Sequence, residues 1–197
     1  MDIVKVLVTP KGLLIISFCI LIIGKIIFHK DYLSCFSIIK HHMDCFRMEN
    51  GHISKMSLLL YYFIPLLLAI SLIQIRILDD TVVNLITIII SILTAMFFTL
   101  LTLILDMRAR IRTDHNYNAG DASLSTKLLK ETYYSLMFEI LISIAILIMC
   151  FVELFAKQYS CCASLIIYYL VFILLLNMFM ILKRIYCVIN KDLEIYR

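Results

Sequence analysis

The dominant feature of this sequence is a series of five apolar runs, which lie at 12–28, 57–75, 82–105, 133–155 and 163–182. A bilayer core about 30 Å thick needs roughly 20 apolar residues in a helix, and the last four runs meet that length. The chain is 63% hydrophobic and only 16% charged. Because a soluble domain of 197 residues cannot bury that excess, the sequence predicts an all-α, polytopic transmembrane protein.

Short connections at 76–81 and 157–162 join the second run to the third and the fourth to the fifth. Connections this short usually link antiparallel neighbours, so we expect four spans in two helical hairpins, 57–105 and 133–182. The first run is shorter and contains Lys25. We expect it to form a fifth, N-terminal span, with an interfacial or re-entrant helix as the alternative.

The remaining segments are too short to form soluble domains. Segment 1–56 combines the first run with a basic amphipathic loop, 106–132 is predicted as a helical linker with a turn at 116–125, and 183–197 as an amphipathic tail. The sequence therefore divides at 56, 105, 132 and 182.

The distribution of lysine and arginine predicts the orientation of the chain. The two short connections carry only Arg76 and Lys157. The long segments carry fourteen basic residues: Lys25, Lys30, Lys40, Arg47, Lys55, Arg108, Arg110, Arg112, Lys127, Lys130, Lys183, Arg184, Lys191 and Arg197. Because cytoplasmic loops are enriched in such residues, we expect the long segments and the C-terminus in the cytoplasm. Basic residues beside apolar runs are a pattern of membrane topology, so we expect no direct binding of nucleic acid.

Glu139 is the one acidic residue placed well inside the fourth run. A carboxylate near the centre of a spanning helix costs roughly 2.5–3.5 kcal/mol, so it should face other helices or a wet cavity. Ser135 and Ser143 share its helix face at four-residue spacing. The favoured interpretation is a contact between helices, with Lys25, Asn84, Asn177 or a neighbouring subunit as partner. An ion, proton or gating site is the alternative.

Small residues at four-residue spacing mark one face of the third run. Ser91, Ala95 and Thr99 form this stripe, and small residues let helices approach closely in a membrane. We therefore expect helix packing on this face, with a pore lining as the alternative. Asn177 in the fifth run is predicted to form hydrogen bonds between helices in the same way.

Residues 35–52 hold the only cluster that resembles a metal site, namely Cys35, His41, His42, Cys45 and His52. The spacing fits no zinc motif, so we expect no metal and interpret the segment as an interfacial amphipathic helix with Leu33, Phe36, Ile39 and Met43 on one face. No serine-hydrolase, metalloprotease or phosphate-loop motif occurs in the chain. We expect no catalytic residue and no cofactor.

Two stretches resemble a known family. They are LLKETYYSLMFEILISIAILI at 128–148 and FILLLNMFMILKRIYCVINKDLE at 172–194. The chain is similar here to the KwaA family, the membrane subunits of the Kiwa anti-phage system. The resemblance covers roughly the C-terminal third and consists of apolar helices with few distinctive residues.

The resemblance implies a non-catalytic sensor and scaffold in the bacterial inner membrane. Such subunits form homo-oligomers and hold a cytoplasmic DNA-binding partner, KwaB. The predicted docking residues are basic ones on the cytoplasmic side and the apolar stripe of the tail: Arg108, Arg110, Arg112, Lys183, Arg184, Ile189, Leu193 and Tyr196. For the tail, a helix that lies on the membrane surface is the equal alternative. The alternative functions are a pore-forming effector, a small transporter or an immunity protein, each with Glu139 in its pathway.

Overall fold

The computed structural model describes residues 35–45, 55–113, 119–155 and 159–195, apart from the side chains at 55, 57, 112, 119–124 and 191–195. The described residues form five α-helices and no β-strand, which confirms the predicted all-α fold. The helices are α1 (Phe36–Asp44), α2 (Lys55–Ile75), α3 (Asp80–Thr113), α4 (Ala119–Glu153) and α5 (Cys161–Ile195). The predicted N-terminal span at 12–28 lies outside the described residues.

The chain divides into two compact units, Met1–Ser37 and Ile38–Arg197. Only residues 35–37 of the first unit are described. The second unit contains the four long helices and the part of α1 that begins at Ile38. All contacts discussed below lie within this second unit.

Among the described residues, four helices are long and apolar enough to cross a membrane, and their candidate spans are Leu58–Ile75, Asp80–Ile111, Ser125–Glu153 and Cys161–Asn190. The α2 helix has 21 residues, whereas α3 has 34 and α4 and α5 have 35 each. At 1.5 Å per residue the three longer helices reach about 50 Å, well beyond a hydrocarbon core of about 30 Å. These three helices must therefore project from the membrane.

The surplus length of the three long helices lies at one end of the molecule, which we call the basic end. The surplus length consists of 106–113 in α3, 119–132 in α4 and 183–195 in α5, and we call these three segments together the stalk. Ile111, Leu129 and Val188 are buried within it, so the stalk has a packed core of its own. The turn predicted at 116–125 is wrong from Ala119 onward, because α4 already begins there.

The helices pack in the order α2, α5, α4, α3. The second predicted hairpin is confirmed, since α4 packs on α5. In the first, α2 and α3 follow one another through a short connection, as predicted, but their described residues do not pack on each other. The buried share of the spans is 50% in α4 and 33% in α5 but only 17% in α2 and α3, so α4 and α5 are central.

Polar side chains account for this order. The two central helices carry Glu139 and Asn177, both fully buried, and polar groups of this kind are costly where they face lipid. The outer helices present mainly apolar side chains, which lipid solvates as well as a neighbouring helix does. The short connection between α2 and α3 therefore does not determine whether these two helices pack against each other.

The short helix α1 lies against the basic end of the bundle. His42 is fully buried, whereas Ile39 is 39% exposed and Lys40 is exposed. Met43, predicted on the same apolar face as Ile39, is half-buried and accepts a hydrogen bond from the Tyr62 hydroxyl of α2 at 3.3 Å. The helix therefore packs through its histidine side and leaves part of its apolar face outside.

Candidate functional site

A column of buried polar side chains runs along the α4 face that meets α5. Ser135, Glu139 and Ser143 are all fully buried, as expected from their spacing of four residues, which places them on one helix face. Glu139 lies six residues past the start of the apolar run, about 9 Å along the helix axis. The sequence therefore located this face correctly, and the structure places it in the centre of the bundle.

Side chains from two other helices approach Glu139. Asn177 of α5 is fully buried beside the carboxyl group, although no hydrogen bond of normal geometry joins them. The Tyr61 hydroxyl of α2 lies close enough to interact with the same group electrostatically. Of the predicted partners, Asn84 is exposed on α3 and Lys25 lies outside the described residues. We call Tyr61, Ser135, Glu139, Ser143 and Asn177 the polar core.

A second network joins the polar core to the basic end through Arg184. Its guanidinium donates to the Ser135 hydroxyl at 2.5 Å and to the Glu131 carbonyl at 3.3 Å, and lies 3.8 Å from the Glu131 carboxylate. The Arg184 side chain is only 16% exposed. Arg184 was predicted as a docking residue, but its side chain is largely buried and directed at α4.

Cys45 joins the helix α1 to this network. Its thiol lies 3.3 Å from the carbonyl of His41 and 3.8 Å from that of Glu131. Burial raises the pKa of the Cys45 thiol, a shift that the positive charge of Arg184 partly offsets. The thiol is therefore protonated and acts as a weak hydrogen-bond donor between α1 and α4. We call Cys45, Glu131, Ser135 and Arg184 the arginine network.

His42 packs α1 against aromatic side chains of α2 and α4. Its ring stacks on Phe138 with a centroid distance of 3.9 Å and an angle of 11°, and is tilted against Tyr61 at 6.0 Å. Burial, together with the positive charge of Arg184, lowers the pKa of His42 from 6.5 to about 4. His42 is therefore neutral at physiological pH and packs as an aromatic ring.

The cysteine and histidine cluster considered as a metal site is divided by this packing. His41 stacks on Tyr134 at 4.5 Å and 14°, while His42 lies against Phe138 and Cys45 against backbone carbonyls. Among the described residues, no three acidic, histidine or cysteine side chains converge on one point. His52 lies outside the described residues.

The other predicted docking residues lie on the stalk. Arg108, Arg110 and Lys183 are exposed there, and Ile189 is 44% exposed. Arg110 pairs with Asp106 one turn away at 3.0 Å, an exposed contact that contributes only tenths of a kcal/mol. The side chains of Arg112 and Leu193, and all of Tyr196, lie outside the described part of the chain.

No other described helix covers the small-residue stripe of α3. Ser91, Ala95 and Thr99 are all exposed, so the prediction that they pack is wrong within one copy of the chain. The hydroxyls of Ser91 and Thr99 donate to carbonyls of Thr87 and Ala95, one turn earlier in their own helix. That internal bond satisfies each hydroxyl without a neighbouring helix.

Polar contacts also connect the two turns at the opposite end of the bundle. The Asp79 carboxylate pairs with Arg76 and accepts a hydrogen bond from the Val82 amide at 2.9 Å, which caps the start of α3. Both donors lower the pKa of Asp79. The Tyr159 hydroxyl donates to the Asp80 carboxylate, which raises the pKa of Tyr159 to about 12.

The sequence reasoning missed the structural role of Arg184. Asn177 and Arg184 are seven residues apart, which places them on the same face of α5. That spacing was the available signal that both side chains point at α4. The arrangement as a whole can bind α1, α2, α4 and α5 to one another through a polar path from the basic end to Glu139.

Comparison of the chain with protein-family models, curated proteins and solved structures finds no match.

Proposed function

We propose that this chain is a non-enzymatic sensor and scaffold subunit of an anti-phage defence complex. It spans the bacterial inner membrane with its C-terminus in the cytoplasm, associates with further copies of itself and docks a cytoplasmic DNA-binding effector. The observation that carries the scaffold role is the stalk. Three spanning helices continue from the membrane at the end where the basic residues cluster, and they remain packed there around Ile111, Leu129 and Val188.

The surface of the stalk favours a protein partner. Arg108, Arg110 and Lys183 are exposed cations, and Tyr186 is 68% exposed beside Ile189. A combination of arginine and exposed aromatic and aliphatic side chains is typical of docking surfaces. The basic character suits an acidic face on the partner.

The defence role comes from the resemblance of 128–148 and 172–194 to the KwaA family. Both stretches fall on the central helices α4 and α5. They include Glu131, Ser135 and Glu139 on one helix and Asn177 and Arg184 on the other. The part of the chain that resembles the family therefore contains the polar core except Tyr61 and the arginine network except Cys45.

The test is affinity purification from native membranes in mild detergent, followed by native mass spectrometry. The wild-type chain should retain a stoichiometric soluble partner that binds DNA, in a complex with several copies of the chain. A stalk variant with Arg108→Glu, Arg110→Glu and Lys183→Glu should lose the partner. Lys40→Glu, an exposed cation of α1 outside the stalk, is the matched control and should retain it.

A homo-oligomer with no stoichiometric partner would contradict the scaffold role. Retention of the partner by the stalk variant would place docking elsewhere and contradict the stalk as its site.

The alternative is a pore or transport function that uses Glu139. It is favoured by a buried carboxyl group that has no ion pair with any described cation. Glu139→Gln is nearly isosteric and keeps a polar group beside Asn177 while removing the ionisable proton. Loss of ion flux across planar bilayers with an intact oligomer would support the pore, whereas unchanged assembly and effector binding without any flux would support the scaffold.

A further inference from the structure

A cleft of about 260 Å³ lies between α1 and the 127–134 part of α4. Its walls are formed by His41 and Asp44 on α1, and by Lys127, Lys130, Glu131 and Tyr134 on α4. One wall is flat, because the rings of His41 and Tyr134 stack. The Lys130 ammonium lies 5.9 Å from the centre of the Tyr134 ring, so a cation and an aromatic face border the same opening.

Two lysines of the cleft have no carboxylate partner among the described residues. The Glu131 carboxylate is engaged by Arg184, and the Asp44 carboxylate lies 3.9 Å from Nδ1 of His41. Lys127 and Lys130 are both exposed and form no ion pair with a described carboxylate. They lie three residues apart, so both ammonium groups reach the same side of α4. The cleft therefore presents two free positive charges to an anion.

The position of the cleft along α4 matches the boundary of a bilayer. Tyr134 lies at the start of the apolar run, and tyrosines are enriched at this boundary. Lys130 and Lys127 lie about 6 and 10 Å further out along the helix. The polar headgroup layer is about 5–8 Å thick on each side of the hydrocarbon core, so the backbone of Lys130 lies within it and that of Lys127 lies about 2 Å beyond its outer edge.

We propose that this cleft binds the phosphodiester group of a membrane glycerophospholipid. The phosphate lies between the ammonium groups of Lys127 and Lys130, and the acyl chains pass Tyr134 into the bilayer. Basic pockets beside spanning helices on the cytoplasmic side are a known mode of headgroup binding. The volume is below that of a typical site for a drug-sized molecule, which suits a headgroup. This assignment does not depend on the proposed defence function.

The bound lipid would contact both α1 and α4. Residues of the cleft belong to the same turns as the arginine network, since Glu131 lies in both. Occupancy of the cleft would therefore hold α1, which carries His42, in place beside Arg184. The lipid acts as a structural ligand at the junction of the stalk and the membrane.

The experiment is native mass spectrometry of the full chain, purified and titrated with phosphatidylglycerol, phosphatidylethanolamine or diacylglycerol of the same acyl chains. The test variant is Lys127→Gln with Lys130→Gln. The matched control is Arg108→Gln with Lys183→Gln, which removes two exposed cations from the stalk outside the cleft. Thermal unfolding of both variants checks that the exposed substitutions leave the fold intact.

We expect tight retention of the two phospholipids by the wild type and the control, and weaker binding of diacylglycerol. With each cation near the surface contributing about 1 kcal/mol, phospholipid affinity should fall about 30-fold in the test variant. Equal retention by the test variant and the control would overturn the site. Displacement of the lipid by inorganic phosphate at equal concentration would identify a soluble anion as the ligand and overturn the lipid assignment.

Discussion

Replacement of Arg184 by glutamine tests whether the arginine network holds the two central helices in register. In the native chain one guanidinium nitrogen donates to the Ser135 hydroxyl at 2.5 Å and the Glu131 carbonyl at 3.3 Å, and a second lies 3.8 Å from the Glu131 carboxylate. Glutamine is shorter and neutral, so it cannot reach all three acceptors. The variant leaves a partly buried carboxylate without its cation.

The magnitude follows from these contacts and their exposure. Hydrogen bonds to a charged group contribute about 1.5–3 kcal/mol, and breaking a fully buried ion pair costs about 3–5 kcal/mol. The side chains here are 16% and 29% exposed, so water screens part of the interaction. We therefore expect Arg184→Gln to lower the free energy of unfolding by about 2 kcal/mol.

The assay is equilibrium unfolding in mixed detergent micelles, with helical circular dichroism as the signal. Lys183→Gln is the control, because it removes an exposed charge one residue away and should change stability by less than about 0.5 kcal/mol. If Arg184→Gln is no less stable than Lys183→Gln, the arginine network does not contribute to stability. A double-mutant cycle with Glu131→Gln should then also show no coupling.

Three further predictions concern His42, Asp79 and the orientation of the chain in the membrane. The pKa of His42 is 6.5 in the unfolded chain and about 4 in the folded chain, so the free energy of unfolding should be highest above pH 6.5 and fall by about 3 kcal/mol as the pH drops to 4. His42→Gln should flatten this dependence of unfolding on pH, whereas His41→Gln should not. Asp79→Asn should lower the midpoint temperature of unfolding above pH 3.8. Because the pKa of folded Asp79 lies below 3.8, the difference from wild type should vanish as the pH falls through that lowered pKa. In single-cysteine variants on intact cells, an impermeant maleimide should label the exposed Cys161 and Cys162 directly but the exposed Cys187 only after permeabilisation; labelling of Cys187 without permeabilisation would reverse the proposed orientation.

Local periodicity explains why part of the site was predictable from sequence. Ser135, Glu139 and Ser143 lie on one face of a single helix, so their common direction follows from helix geometry alone. A carboxyl group in an apolar run also has to face other helices. Both rules act within α4 and need no knowledge of its neighbours, and the structure places all three side chains in the interior.

The remaining features depend on which helices meet and in what register. Arg184 looked like an exposed docking residue because its partners, Glu131 and Ser135, lie about fifty residues away on another helix. Ser91, Ala95 and Thr99 looked like a packing face because small residues suit a helix contact and a lipid contact equally. The same ambiguity explains the first hairpin, since a short connection does not decide whether lipid or α2 covers α3.

The continuity of α4 and α5 gives the stalk a mechanical property. Neither helix is interrupted between the turn at the opposite end and the described part of the stalk, so each behaves as a rigid rod that pivots within the bilayer. The tip of α5 lies about 33 Å from mid-membrane at 1.5 Å per residue, and a tilt of about 5° moves it by about 3 Å. Spanning helices tilt when the bilayer thins or thickens. A change in the thickness of the bilayer therefore becomes a sideways displacement of the basic surface of the stalk.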